Sequence, residues 1–318
     1  MSLSPITLFA LNGNTELAEA ISARLALPLA PHEEREFEDG EHKARPLQNV
    51  RGHDVFVMHN LHGDEQQSGN DKLCRLLFFC GALHDAGAAR VTAIAPYLCY
   101  TRKDRRTKPN DPVTTRYVAS LFEAMQIDTV ITAEIHNIAA FDNAFRCHSL
   151  HVETMPLFAA YYAERLRGLP VVAVSPDAGG AKRAEQFRLA LEARTGQEVG
   201  SAYMEKFRSA GIVSGNILAG NVRGKVAVVV DDLIASGGTL IRAAKACRAA
   251  GAQQVFAAAA HGLFIGGATA LFETVEIDEI AVTNILPPFR ASGGATRLAV
   301  IDASDAISEA ILAVHAGP

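Results

Sequence analysis

The chain has 318 residues, enough for about two domains with buried cores of their own. It is 49% apolar and 20% charged with a net charge of −5, which gives no basic stripe for nucleic acid. No apolar run reaches membrane-spanning length, and the start "MSLSPITLFAL" lacks the charged flank of a signal peptide. Five scattered cysteines without metal spacing argue for a reducing, cytoplasmic setting over a disulfide framework.

In chain order, "ITLFAL" (6–11) reads as a strand and "TELAEAISARLA" (15–26) as a helix, followed by a polar stretch, "EFEDGEHKAR" (36–45). "DVFVMHN" (54–60) and "RVTAIAPYL" (90–98) are the next strands. The basic cluster from Thr101 to Lys108 follows the latter and suits an anionic small molecule. A helix, "TTRYVASLFEAM" (114–125), precedes the strand "TVITAEIH" (129–136), which ends in "EIHN" (134–137). The segment 151–166 is the expected junction, giving domains 1–152 and 153–318. In the second half, "VVAVSPD" (171–177) runs into "SPDAGGAKR", and "YMEKFRSAG" (203–211) reads as a mobile loop. The strands "KVAVVVDD" (225–232), "QVFAAAAHGLF" (254–264), "EIAVTNIL" (279–286) and "LAVIDAS" (298–304) complete the set. The alternation predicts an α/β protein with two mainly parallel sheets flanked by helices.

The stretch "KVAVVVDDLIASGGTLIRAAKA" (225–246) carries the densest signal. Val226 to Val230 read as a strand buried on both faces, with Asp231 and Asp232 at its carboxyl end, where open α/β sheets hold ligands. Ser236, Gly237, Gly238 and Thr239 then open a helix whose apolar side is Leu240, Ala243, Ala244 and Cys247, with Gly251 at its end. Alone, the Ser-Gly-Gly-Thr loop reads equally as an ordinary helix cap. Two adjacent carboxylates repel unless hydroxyls or a cation meet them, and beside a phosphate-sized nest they suggest a sugar phosphate. No Ser–His–Asp or Cys–His nucleophile stands out.

Four motifs in order, "FEDGE", "RKDR", "SPDAGG" and "VDDLIASGGT", resemble those of the ribose-phosphate diphosphokinase family, also called phosphoribosyl pyrophosphate (PRPP) synthetases, over nearly the whole chain. The resemblance implies two phosphoribosyltransferase-like domains, with the ATP side in the first and the PRPP/ribose 5-phosphate loop in the second. It implies transfer of a diphosphoryl group from ATP to the anomeric hydroxyl of ribose 5-phosphate, with Mg2+ as cofactor and self-association as a dimer or a hexamer built from dimers. By position in the motifs, Asp231 and Asp232 match acids that meet the ribose hydroxyls, and Ser236, Gly237, Gly238 and Thr239 match the 5-phosphate cradle. Asp177 and His136 match positions associated with metal and ribose. Arg102 and Asp104, with Phe37, Asp39 and Glu41 from a neighbouring subunit, match the ATP side. Lys206 and Arg208 match loop cations that meet phosphates in the transition state. Taken alone, His136 reads better as a strand-end histidine satisfied by backbone groups, and "EKFR" as a solvated loop.

The chain departs from the family pattern at several places. Its D-L-H-A is here "EIHN", Lys103 stands for Gln, Ser236 for Thr, and Phe207 for the middle cation of K-R-R. The end "AVHAGP" lacks the family's Ser-containing tail, so weak regulation by ADP is expected. Two other readings stay open: a non-catalytic PRPP synthetase-associated regulatory subunit, in which Lys206, Arg208 or the acid pair would be lost, and a salvage phosphoribosyltransferase, which usually has one sheet domain.

Overall fold

Strands made of continuous Val, Ala, Ile and Phe runs bury both faces, which only a sheet covered by helices on either side accommodates. In the computed structural model four of them, 54–58, 129–133, 171–175 and 226–230, are buried at every residue. The structure describes residues 4–12, 15–209, 212–288, 291 and 295–317, without the side chains of 15, 206–209, 212–216 and 295. The chain divides into two compact units, Met1–Val152 with Ser304–Pro318, and Glu153–Ala303.

In chain order the first unit contains β1 (Ile6–Ala10), α1 (Thr15–Leu25), β2 (His32–Glu36), β3 (His42–Pro46), β4 (Asp54–Met58), α2 (Gly69–Asp85), β5 (Arg90–Ile94), α3 (Thr114–Ala124), β6 (Thr129–Ala133), α4 (Ile138–Ala144) and β7 (His148–Val152). Its sheet runs β1-β4-β5-β6-β7, all parallel, and β2 and β3 form a separate antiparallel hairpin. The second unit contains α5 (Met155–Arg165), β8 (Val171–Ser175), α6 (Ala181–Thr195), β9 (Val199–Ser209), β10 (Ile212–Ala219), β11 (Val226–Ile234), α7 (Gly238–Ala249), β12 (Gln254–Gly262), α8 (Thr269–Glu273), β13 (Glu279–Thr283) and β14 (Leu298–Ile301). Its order is β10-β9-β8-β11-β12-β13-β14, parallel except for the β9–β10 pair at one edge.

All nine expected strands are present, and the structure adds β2, β3, β7, β9 and β10. The segment read as a mobile loop at 203–211 lies largely in β9, where the backbone of Lys206 pairs with Asn216 and that of Arg208 with Val213. The side chains of Lys206 and Arg208 lie outside the described residues.

The second domain was expected to run to 318, but the last helix, α9 (Ser304–Ala316), belongs to the first unit. It buries Ile307, Ala310, Ile311 and Val314, and Arg24 of α1 donates to Asp305. At its far end His315 Nδ1 lies 2.7 Å from Asp54 Oδ2. Arg90 donates from Nε to Asp54 Oδ1 at 2.9 Å and from Nη2 to the His315 carbonyl at 3.2 Å. Asp54 is buried, so this charge needs both partners to be tolerated.

Candidate active site

In the second unit β11 pairs with β8 only as far as Val229↔Val174, whereas its pairing with β12 continues to Ile234↔Gly262. The acid pair therefore sits inside β11, two residues before its end and not at it, where the sheet opens on the β8 side. Asp232 is buried and Asp231 partly so, and the Asp232 N–H donates to Asp231 Oδ1 at 2.9 Å. Burial, followed by the Asp232 charge, pushes the Asp231 carboxyl well above the usual carboxylate range. The Arg183 guanidinium, 4.0 Å away, offsets this only in part. A proton or a cation at the pair would relieve this repulsion.

The loop after β11 is built on a left-handed residue, Gly237, with φ +77°. A Cβ at Gly237 would stand 2.8 Å from Leu271 Cβ, so this glycine answers to backbone conformation and to the α8 wall behind it. Gly238 faces the opposite way: a Cβ there would meet Arg242 Nη1 at 3.4 Å and Ser236 Oγ at 3.8 Å. Arg242 Nη2 in turn donates to Thr239 Oγ1 at 3.2 Å. The open side of the loop thus gathers two hydroxyls, a guanidinium and the first N–H groups of α7, the donor set of an anion cradle. From beneath, the Leu263 and Phe264 N–H groups brace the loop by donating to the Ile234 carbonyl, and that of Ile265 by donating to the Ala235 carbonyl. Sequence reasoning missed Arg242, although its spacing three residues after Thr239 places it on the same helix face.

Asp177 leaves β8, the strand next to β11, and its Oδ1 accepts from the N–H groups of Gly179 (2.9 Å) and Gly180 (3.1 Å). Its carboxylate is therefore held in place by the short turn it caps.

In the first unit Phe37, Asp39 and Glu41 form the tip of the β2–β3 hairpin. The Phe37 N–H donates to the Glu41 carbonyl, the Glu41 N–H donates to Asp39 Oδ1 at 3.1 Å, and Gly40 takes φ +86°. Phe37 is exposed, with the Arg35 guanidinium 5.1 Å over its ring. Along α2, Gly40 and Glu41 line a cleft of about 560 Å³ with Asn70, Asp71 and Arg75.

Arg102 lies in a turn after β5 whose ends are closed by Thr115 Oγ1, which donates to the carbonyls of Tyr100 (2.9 Å) and Lys103 (3.1 Å). Asp104 accepts from Asn137 Nδ2 at 2.6 Å, so the structure joins the "RKDR" and "EIHN" clusters. His136, beside Asn137, is exposed. His136 and Asp177, matched together to a metal, fall in different units, so neither unit by itself holds both. Among the described residues no group of three His, Cys, Asp or Glu side chains is arranged to hold a metal ion.

Comparison with known proteins meets this geometry. Residues 6–125 match the N-terminal domain of ribose phosphate pyrophosphokinase, and 204–318 match the phosphoribosyl synthetase-associated domain. A ribose-phosphate pyrophosphokinase 1 of Streptococcus pyogenes is 31% identical over 318 residues, 99% of this chain and 96% of its own. A second S. pyogenes sequence, numbered 2 and provisionally so named, is 35% identical over 312 residues, 98% of this chain and 91% of its own. The chain belongs to the ribose-phosphate pyrophosphokinase family. Its structure is similar to phosphoribosylpyrophosphate synthetase from Mycobacterium smegmatis, with a TM-score of 0.87 at 29% identity, over 99% of this chain and 100% of the other.

Several departures from the family pattern now have a physical setting. Lys103 is used within its own loop: its Nζ lies 2.9 Å from Asp111 Oδ2, which also accepts from Thr107 and Lys108. Ser236 keeps its hydroxyl on the cradle side. Glu134 is buried with φ +44°, a left-handed conformation that Asp enters more readily than Glu. A salvage phosphoribosyltransferase with one sheet domain does not fit a chain with two sheet units.

Proposed function

We propose that the chain performs the family reaction with the residues described above. The anomeric hydroxyl oxygen of ribose 5-phosphate attacks the β-phosphorus of ATP. The bond from that phosphorus to the bridging oxygen of the α-phosphate breaks, the hydroxyl proton passes to water, and AMP leaves as PRPP forms. Ser236, Thr239, Arg242 and the N–H groups at the start of α7 hold the 5-phosphate. Asp231 and Asp232 accept from the ribose hydroxyls, and Asp177 faces the same end of the sheet. Arg102 and Asp104 serve ATP, together with Phe37, Asp39 and Glu41 from a neighbouring subunit of a dimer or hexamer. Lys206 and Arg208 neutralise charge on the transferring group. The observation that carries this reading is the acid pair set directly before a cradle of hydroxyls, guanidinium and backbone donors.

Asp177, Asp231 and Asp232 are not arranged as a three-ligand group, but each offers hard oxygens, which suits Mg2+ as an ion that would arrive on phosphates and keep several waters. Bound there, it would neutralise phosphate charge. A cytoplasmic location is supported by five cysteines that are all free.

Measuring AMP formation from ATP and Mg2+, with and without ribose 5-phosphate, tests the reaction. AMP and PRPP should accumulate in step, and only with the sugar phosphate present. No AMP in its presence, or equal ATP breakdown without it, would overturn the proposal.

Asp232→Asn probes the sugar side. It should weaken ribose 5-phosphate binding by about 10–100-fold, the scale of hydrogen bonds to a charged group, and leave ATP affinity unchanged. It should also change stability in a pH-dependent way. Asp231 has a raised pKa in the folded state, so folded protein binds more protons than unfolded chain above about pH 4. Stability therefore falls as pH rises from there toward the raised value. Removing the Asp232 charge should raise the Tm of the free protein at pH 7.5 more than at pH 5. Parental ribose 5-phosphate affinity in calorimetry would reduce the acid pair to a strand-end feature.

A further inference from the structure

The loop after β5 carries one departure from the family pattern, Lys103, and the loop after β6 carries another, Asn137; the structure gives each a partner in the first unit. Lys103 is held by Asp111 on one side of the turn. On the other side Asn137 uses both ends of its amide: Oδ1 accepts from the Ala140 N–H at 3.2 Å, capping α4, while Nδ2 donates to Asp104 Oδ2 at 2.6 Å. An N–H on one side and a carboxylate on the other fix which end of the amide is which. Between these two anchors Arg102 is exposed and makes no hydrogen bond or ion pair among the described residues. Because β5 and β6 are adjacent parallel strands, the Asn137–Asp104 bond ties two neighbouring loops at the carboxyl end of the sheet. An unpartnered carboxylate on an exposed loop would sample several rotamers, and fixing it before a ligand arrives removes that entropy cost from binding.

We infer that Asn137 is a positioning residue for the nucleotide side: it presets Asp104, and with it the Arg102 turn, for ATP. A side chain absent from the family pattern thus does the orienting in this chain. The inference rests on the assignment of Asp104 to ATP made under the proposed function.

Three variants separate this role from helix capping. Asn137→Ser keeps a good cap acceptor and loses the reach to Asp104, whereas Asn137→Ala loses both. Asp104→Ala removes the partner. Each is compared with the parent by calorimetric titration with a non-hydrolysable ATP analogue and Mg2+, by KM for ATP and for ribose 5-phosphate, by kcat, and by Tm. Asn137→Ser should keep the parental Tm, weaken analogue binding and raise KM for ATP by about 5–10-fold, and leave kcat and KM for ribose 5-phosphate within about twofold. In the Asp104→Ala background it should add nothing further, since the two side chains act as one unit. Parental ATP affinity in Asn137→Ser, or additive losses in the double variant, would overturn the inference and leave Asn137 a cap. The analogue titrations decide this whether or not AMP is formed, so failure of the reaction is read separately. Parental nucleotide affinity in Asp104→Ala would remove the ATP-side assignment and the inference with it.

Discussion

Replacing Lys206 with alanine is expected to lower kcat by about 10²–10⁴-fold while changing KM for either substrate far less, the scale of removing a key electrostatic donor. Diphosphoryl transfer leaves the protein little covalent work: it must align an oxygen with the β-phosphorus and neutralise charge as the bridging bond stretches. A cation whose contact matures only as that charge develops lowers the barrier without tightening ground-state binding. Lys206 sits in β9, which pairs with β8, the strand that delivers Asp177, so its backbone belongs to the sheet that carries the candidate sugar site. Single-turnover AMP formation at saturating ATP and ribose 5-phosphate is the measurement. An unchanged single-turnover rate with a raised KM would assign Lys206 to ground-state binding instead.

The two glycines of the cradle should fail in different ways. Gly238→Leu introduces no left-handed strain, because only Gly237 of the two has positive φ, and its side chain would fill the space between Ser236 Oγ and Arg242 Nη1. It should weaken ribose 5-phosphate, PRPP and free phosphate by about 100-fold or more, since the donors around the anion are lost together, while Tm stays near the parental value. Gly237→Ala should instead strain the backbone and press on Leu271, costing about 1 kcal/mol or more of stability and lowering Tm. Calorimetric titration with phosphate and with ribose 5-phosphate, beside thermal melts of both variants, distinguishes them. Phosphate binding by Gly238→Leu equal to that of the parent would place the anion elsewhere.

Much of this architecture was legible because doubly covered strands leave an unmistakable trace. Val226 to Val230 have no polar face to show, and the helix that follows buries Leu240, Ala243, Ala244 and Cys247, the residues its periodicity selects. The unread strands lack that trace. The hairpin strands "HEERE" and "HKARP" expose much of their length and take their register from each other, so no apolar face marks them. At the candidate site the motif-borne residues could be named in advance, because adjacent acids and a Ser-Gly-Gly-Thr loop carry their chemistry locally. What could not be read were pairings across distance. Asn137 and Asp104 are 33 positions apart, and the use of Lys103 inside its own loop depends on the fold of that loop. His315 and Asp54, 261 positions apart, meet only because the chain returns.

That return has a consequence for how the molecule comes into being. A ribosome delivers Met1 through Val152 long before it delivers Ser304, so the first unit leaves the exit tunnel without its final helix. Through the whole synthesis of the second unit the place for Ile307, Ile311 and Val314 is uncovered, and Asp54 has Arg90 but not yet His315. The usual sequence, in which the amino-terminal part folds first as a finished body, is not open to this chain. Its first unit is closed last, by a contact of very high sequence separation, and such contacts form slowly. A fragment ending at residue 152 should accordingly be sticky and poorly soluble, and adding back a peptide of residues 304–317 should quiet it.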